Sequence, residues 1–109
     1  IDGFMAQTGD PRGDGTGGST LPNVKAEFSD SETFWRGAVG MARSQSPDSA
    51  NSQFFICLAD SDFLDGKYTL FGRVIEGMEF VDRIAKGEPP ANPDKIVRMQ
   101  VAADADKKN

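Results

Sequence analysis

Phe54-Phe55-Ile56-Cys57-Leu58, five apolar residues in succession, is the stretch from which the fold can be read. It is too short for a stable helix and rich in aromatic and β-branched side chains, so it reads as a strand buried on both faces. Ala38-Val39-Gly40-Met41-Ala42 precedes it as another short apolar strand, and the polar loop Arg43 to Ser52, carrying Pro47, joins the two. After it, Asp65-Gly66 marks a tight turn and Tyr68 to Val74 alternates as a further strand. Towards the N-terminus, Phe4-Met5-Ala6-Gln7 reads as the end of a strand that runs into a Gly-rich loop from Gly9 to Gly18. Met78, Val81, Ile84 and Ala85 recur at helical spacing, and Gly87 followed by Pro89-Pro90 supplies the stop. Ile96 to Val101 alternates as a final strand before a polar tail. Short strands with Gly and Pro punctuation and a single helix imply a mainly β, antiparallel barrel or sandwich.

Composition narrows the chemistry. With 109 residues the chain is one domain, and its 12 Lys+Arg against 17 Asp+Glu leave a net charge of −5. That sign repels phosphate backbones and argues against nucleic acid as a partner. The longest apolar run, Phe54 to Ala59, falls far short of the ~20 residues that span a bilayer, so no membrane partner is expected. Cys57 is the lone cysteine and there is no His. A disulfide framework, a zinc cluster and Ser-His-Asp or Cys-His catalysis are thereby excluded. No metal and no cofactor is expected, and whatever chemistry occurs must proceed without a conventional base.

Four local patterns invite functional readings. Gly13-Asp14-Gly15-Thr16-Gly17-Gly18 has the letters of a dinucleotide fingerprint, but no helix opens on its last Gly and Asp10 and Asp14 would repel a pyrophosphate. Asp60, Asp62 and Asp65-Gly66 hint at a calcium loop, yet the position that needs Glu is Phe71, so a solvated turn is the better reading. Cys57 lies in an apolar strand with no cation beside it in sequence, which suits a buried structural thiol. The aromatic residues are more suggestive. Eight of ten are Phe, and Phe4, Phe54, Phe55 and Phe63 fall near Gln7, Gln53 and loop segments. Plain core packing and an apolar pocket edged by neutral amides, suited to an uncharged peptide, both fit.

Taken together the segments resemble a known family. Phe4-Met5-Ala6-Gln7-Thr8-Gly9-Asp10, Gly15-Thr16-Gly17-Gly18, Met41-Ala42, Ser52-Gln53-Phe54-Phe55-Ile56, Phe63-Leu64-Asp65-Gly66-Lys67-Tyr68 and Phe71-Gly72-Arg73-Val74 with Glu76-Gly77-Met78 are similar, in order and spacing, to the cyclophilin peptidyl-prolyl isomerases. Met41-Ala42-Arg43-Ser44-Gln45 looks like the bacterial single-domain form. The resemblance covers residues 1–101, which leaves 102–109 as a polar tail.

The resemblance implies a closed, eight-stranded antiparallel barrel capped by helices, with an active groove on its outer face. It implies isomerisation of X–Pro bonds, hence proline-containing peptides and unfolded proteins as partners, and a monomer when complete. Phe4, Met5, Phe55 and Leu64 match the family's proline pocket. Gln7 matches the amide that binds the substrate carbonyl, so Phe4, Gln7 and Phe55 are the expected catalytic set. Ala42 and Arg43 match the strand that pairs with the substrate backbone, while Gln53 and Gly15 line the groove towards the neighbouring subsite. Phe63 stands where many members carry Trp, which implies weak binding of cyclosporin for want of an indole N–H. Tyr68 replaces a frequent His and keeps an aromatic wall with a polar tip. Arg43 replaces a common Asn, a change expected to be mild because the family uses backbone groups there.

The family's catalytic arginine precedes the Phe-Met-x-Gln block, and the sequence opens at Ile1, after that position. The expectation is therefore the C-terminal two-thirds of the barrel, inactive and poorly folded by itself. Bacterial cytoplasm and periplasm both stay open as compartments. The competing reading is a non-catalytic module that binds proline peptides without the arginine.

Overall fold

The computed structural model describes residues 1–105. In chain order its strands are β1 (Met5–Thr8), β2 (Ala38–Met41), β3 (Phe54–Cys57) and β4 (Leu70–Arg73), with a 3-10 turn at Asp62–Leu64. Two single-turn helices follow, α1 (Met78–Val81) and α2 (Ala102–Ala105). The strands form one antiparallel sheet in the order β1-β3-β2-β4. The expected antiparallel architecture is present, but among the described residues it is an open four-stranded sheet with β1 and β4 at its edges, not a closed eight-stranded barrel.

Register sorts the side chains. Gln7 and Gly40 both lie opposite Phe55, and Met5 lies opposite Cys57. Alternation along a strand puts Met5, Gln7, Ala38, Gly40, Phe55 and Cys57 on one face. That face carries the core: Phe34, Ala38, Phe55, Cys57 and Leu64 are buried, with Phe4, Met5, Ala42, Tyr68 and Leu70 packed against them. Phe55 stacks on Phe34 with ring centroids 5.6 Å apart. The opposite face, with Phe54 edge-on to Phe71 at 6.4 Å, is only partly covered. The reading of Phe54–Leu58 as a strand buried on both faces is therefore corrected, since β3 alternates between half-buried and buried positions.

Three further expectations change. The helix from Met78 to Ala85 stops after Val81 and continues as turns; Met78 and Val81 are only half-buried and none of its four residues is fully buried, so little packing supports a longer helix. Ile96 to Val101 forms no strand; Val97 and Met99 lie exposed, and among the described residues no strand pairs with the segment, so its alternation makes no ladder. A helical turn instead occupies Ala102–Ala105, and the last four residues of the expected tail lie outside the described residues.

The segment before β2 is laced to the 57–65 region. Gly37 N donates to Cys57 O, Arg36 N to Asp60 Oδ1, and Phe34 N to Asp65 Oδ1. Asp60 and Asp65 thus hold backbone amides, correcting the expectation of a purely solvated turn. Arg36 also forms a two-pronged ion pair with Asp82 at 2.6 and 2.7 Å, which fastens α1 to the sheet. The hydrogen-bonded pairing raises the Arg36 pKa and lowers that of Asp82.

Candidate active site

Two cavities of about 280 Å³ each meet along one side of the sheet, sharing Gln7, Ala42 and Arg43 in their walls. The first is mainly apolar. Phe4 and Met5 enter it from the start of β1, Phe55 from β3, and Phe63 and Leu64 from the 3-10 turn, with Tyr68 completing the wall. Phe4 and Phe63 lie 5.6 Å apart, and Tyr68 meets Phe55 edge-on at 5.8 Å. Phe55, 1% exposed, serves at once as core and as cavity wall. The pocket and core readings of the aromatic residues are both satisfied by that one side chain. Phe54 points to the other face and takes no part.

The second cavity is polar, and it brings Gly15 and Gln53 together with the shared residues. Gln53 Nε2 donates to Gly15 O and Gly17 O, so the Gly-rich loop hangs on that amide. The two cavities together hold every site residue expected from the sequence: Phe4, Met5, Gln7, Gly15, Ala42, Arg43, Gln53, Phe55, Phe63, Leu64 and Tyr68. Thr16, Gly17, Ser44, Ser49 and Asn51 line the polar cavity without having been expected there. Asn51 ties the loop down, its Oδ1 accepting from Ser19 N and Oγ and its amide donating to Leu21 O and Asn23 Oδ1.

Asp10 explains how the Gly-rich loop is shaped. Its carboxylate accepts amide hydrogens from Arg12 at 2.9 Å, Asp14 at 3.2 Å and Gly15 at 2.7 Å. Desolvation would raise its pKa, but these amides, with those of Gly17 and the Asp14 side chain, outweigh it and hold Asp10 well below the usual carboxylate range. An Asp two residues before an Asp/Gly-rich run is an Asx-turn signal that could have found it. Cys57 is buried at the floor of the sheet; burial raises its thiol pKa against the smaller opposing effect of Ser61, which leaves it an inert packing group.

What the arrangement offers is an apolar slot beside neutral amides, with a polar annex: a place for a ring and an adjoining stretch of peptide. The comparisons with known proteins point the same way. The family model for cyclophilin type peptidyl-prolyl cis-trans isomerases matches residues 1–101. A probable peptidyl-prolyl cis-trans isomerase of Brucella abortus is 52% identical over 120 aligned residues, covering 95% of this chain and 61% of the relative. The chain thus spans about three-fifths of that relative's length. A peptidyl-prolyl cis-trans isomerase-like 1 of Aspergillus oryzae is 40% identical, covering 97% of this chain and 70% of its own. Among solved structures, a Hirschia baltica cyclophilin superposes with a TM-score of 0.75 at 26% identity, over 85% of this chain and 53% of that one. A Cryptosporidium parvum cyclophilin type isomerase, crystallised in the presence of the dipeptide Ala-Pro, gives 0.74 at 30% identity, over 85% and 65%. Open sheet, aromatic slot and sequence agree on one conclusion: this chain belongs to the cyclophilin type peptidyl-prolyl cis-trans isomerase family.

Proposed function

We propose that this chain forms the substrate groove of a peptidyl-prolyl cis-trans isomerase, with proline-containing peptides and unfolded chains as substrates. The observation that carries the reading is the convergence of Phe4, Met5, Phe55, Phe63, Leu64 and Tyr68 on one apolar cavity beside the Gln7 amide. An X–Pro bond rotates over a barrier of about 18–20 kcal/mol because rotation breaks amide resonance. Its cis and trans forms differ by only about 0.5–1 kcal/mol, so acceleration requires tighter binding of the twisted amide than of either planar form. No nucleophile or proton store is needed, in keeping with a site that has no His.

In this reading Phe4 and Phe55 hold the proline ring while Gln7 binds the preceding carbonyl. Ala42 and Arg43 offer backbone to the peptide, and the polar annex at Gly15 and Gln53 takes the residues before the proline. As resonance breaks, the prolyl nitrogen becomes basic, and a donor aimed at it stabilises the transition state. Arg43 is a poor candidate for that donor, since four of its five guanidinium N–H groups are engaged by the carbonyls of Lys67, Ser44 and Gln45. The family resemblance assigns the donor to an arginine on a strand preceding Phe4.

The test is a titration of the chain with an Ala-Pro tetrapeptide, paired with exchange NMR of the same peptide to read its cis/trans rate. Saturable binding at Phe4 and Tyr68 supports the groove. Accelerated exchange makes the chain itself an isomerase, whereas binding without acceleration makes it a proline-peptide module. Absence of binding defeats the assignment of the cavity.

A further inference from the structure

The Arg43 side chain makes more contacts than its place beside the groove requires. Nε and one terminal nitrogen both donate to Lys67 O, at 3.0 and 2.7 Å. The other terminal nitrogen donates to Ser44 O at 2.9 Å and Gln45 O at 3.1 Å. The guanidinium carbon sits 4.7 Å from the centre of the Tyr68 ring and 5.8 Å from that of Phe28. Among the described residues no carboxylate pairs with it. Four of its five N–H groups are therefore fixed by carbonyls from two loops, and its central carbon sits over an aromatic ring.

Those carbonyls are informative. Lys67 immediately precedes Tyr68, and Thr69 immediately follows it; Thr69 O accepts from Met41 N at 2.9 Å. The end of β2 and the residues after it thus grip the chain on both sides of Tyr68. Tyr68 in turn meets Phe55 edge-on, and Phe55 stacks on the buried Phe34. Arg43, Tyr68, Phe55 and Phe34 form a continuous run from the rim of the apolar cavity to the core.

We propose that Arg43 is a positioning residue, whose guanidinium fork holds the Lys67-Tyr68 turn and sets the Tyr68 wall of the apolar cavity. The proposal rests on the proline-pocket reading of that cavity. What it requires of residue 43 is the planar fork and not the charge. A lysine ammonium is a point donor that cannot span carbonyls from two loops while sitting over a ring. The family resemblance gives this position mainly a backbone role; the proposal adds a role for its side chain.

Tyr68 is the only tyrosine, so selective ¹³C labelling of tyrosine reports on this one ring. Its signals, the urea midpoint and the dissociation constant for an Ala-Pro tetrapeptide are compared in the parent, Arg43→Lys and Arg43→Met. In both variants the Tyr68 ring signals should move towards random-coil positions. Peptide affinity should fall about tenfold in each, as for loss of a charge-assisted hydrogen bond. Arg43→Lys that keeps the parent's Tyr68 signals and affinity overturns the proposal. So does a drop in urea midpoint with Tyr68 signals of the folded state unmoved, which is the signature of a merely structural role. A parent that binds no peptide defeats the proline-pocket reading instead; the Tyr68 signals, recorded without ligand, then decide the clamp on their own.

Discussion

Gln7 and Gln53 are joined by a 2.8 Å hydrogen bond, with Nε2 of the first donating to Oε1 of the second. Because Gln53 Nε2 also donates to Gly15 O and Gly17 O, one amide couples edge strand β1 to the Gly-rich loop. The bond lies where the apolar and polar cavities meet, so it links the slot for a ring with the annex for the residues before it.

Gln53→Leu keeps the bulk and removes all three bonds. The loop then keeps its contacts with Asp10, the Ser52 Oγ bond to Gly9 O, and the Asn51 anchor on the residues that follow it. Exchange of the Gly15 amide should accelerate about fivefold or more, as expected for loss of roughly 1 kcal/mol of hydrogen bonding. Affinity for a tetrapeptide should fall while that for the dipeptide Ala-Pro, which fills only the apolar slot, should hold. Equal losses for both peptides would show that the annex does not contact substrate.

Phe55→Ala should separate core from groove. The ring is buried and stacked on Phe34, so truncation should destabilise the fold by about 3–5 kcal/mol. Phe54→Ala, on the half-covered face against Phe71, should cost less than half of that. Urea midpoints of the two variants provide the check, and equal shifts would contradict the alternation along β3.

Phe63 tests the consequence of lacking an indole. It is 59% exposed at the mouth of the apolar cavity and touches Phe4. Phe63→Trp adds an N–H donor at the rim and should tighten cyclosporin binding by about 1 kcal/mol, one net hydrogen bond. An unchanged dissociation constant would mean that residue 63 does not face the ligand.

The strands and the groove were legible in the sequence for a physical reason. Apolar runs such as Phe54–Cys57 record burial locally, and the aromatic and amide residues of the groove sit in blocks whose spacing carries the family resemblance. The sheet's closure was not legible, because pairing partners are not recorded in a strand's own residues. Ile96 to Val101 alternates as well as β4 does, yet β4 has β2 beside it and, among the described residues, no strand lies beside the later segment. The Asp10 and Asn51 anchors were missed because their work is hydrogen bonding to backbone, which leaves little trace in a pattern of apolar residues.

Gly40 was likewise opaque, read only as one small residue in an apolar strand. It lies opposite Phe55, and a Cβ there would stand 2.6 Å from Phe34 Cε1 and 2.6 Å from Phe55 Cζ. The stacked pair therefore occupies the space that a side chain would need. Gly40→Ala should destabilise the fold by about 1–3 kcal/mol despite adding a single methyl, because neither ring can retreat without disturbing the cavity wall. The near-UV circular dichroism of the aromatic cluster should change with it. A neutral or stabilising outcome would mean that the rings repack freely, which would also undercut the use of Phe55 as a fixed wall.

Asp10 makes the loop beside the groove sensitive to acid in a direction that can be worked out. Its pKa in the folded chain is depressed, because amides of the loop stabilise the carboxylate against the cost of desolvation. A depressed pKa means that the carboxylate's contribution is fully present above the unfolded value of about 3.9, and is lost as pH falls towards the folded value. Asp10→Asn retains a single carbonyl oxygen in place of two anionic ones, so it cannot hold the Arg12 amide on one oxygen and the Asp14 and Gly15 amides on the other. The parent should therefore exceed the variant in stability by a constant margin from neutral pH down to about 4, and the margin should shrink progressively below it. Exchange of the Gly15 amide should follow the same course, slow in the parent at neutral pH and approaching the variant's rate, after correction for intrinsic exchange, in acid. The measurement is a pair of urea titrations at several pH values with amide exchange alongside. A margin that stays constant well below pH 3 to 4, or that grows on acidification, would show that the Asp10 charge does not hold the loop.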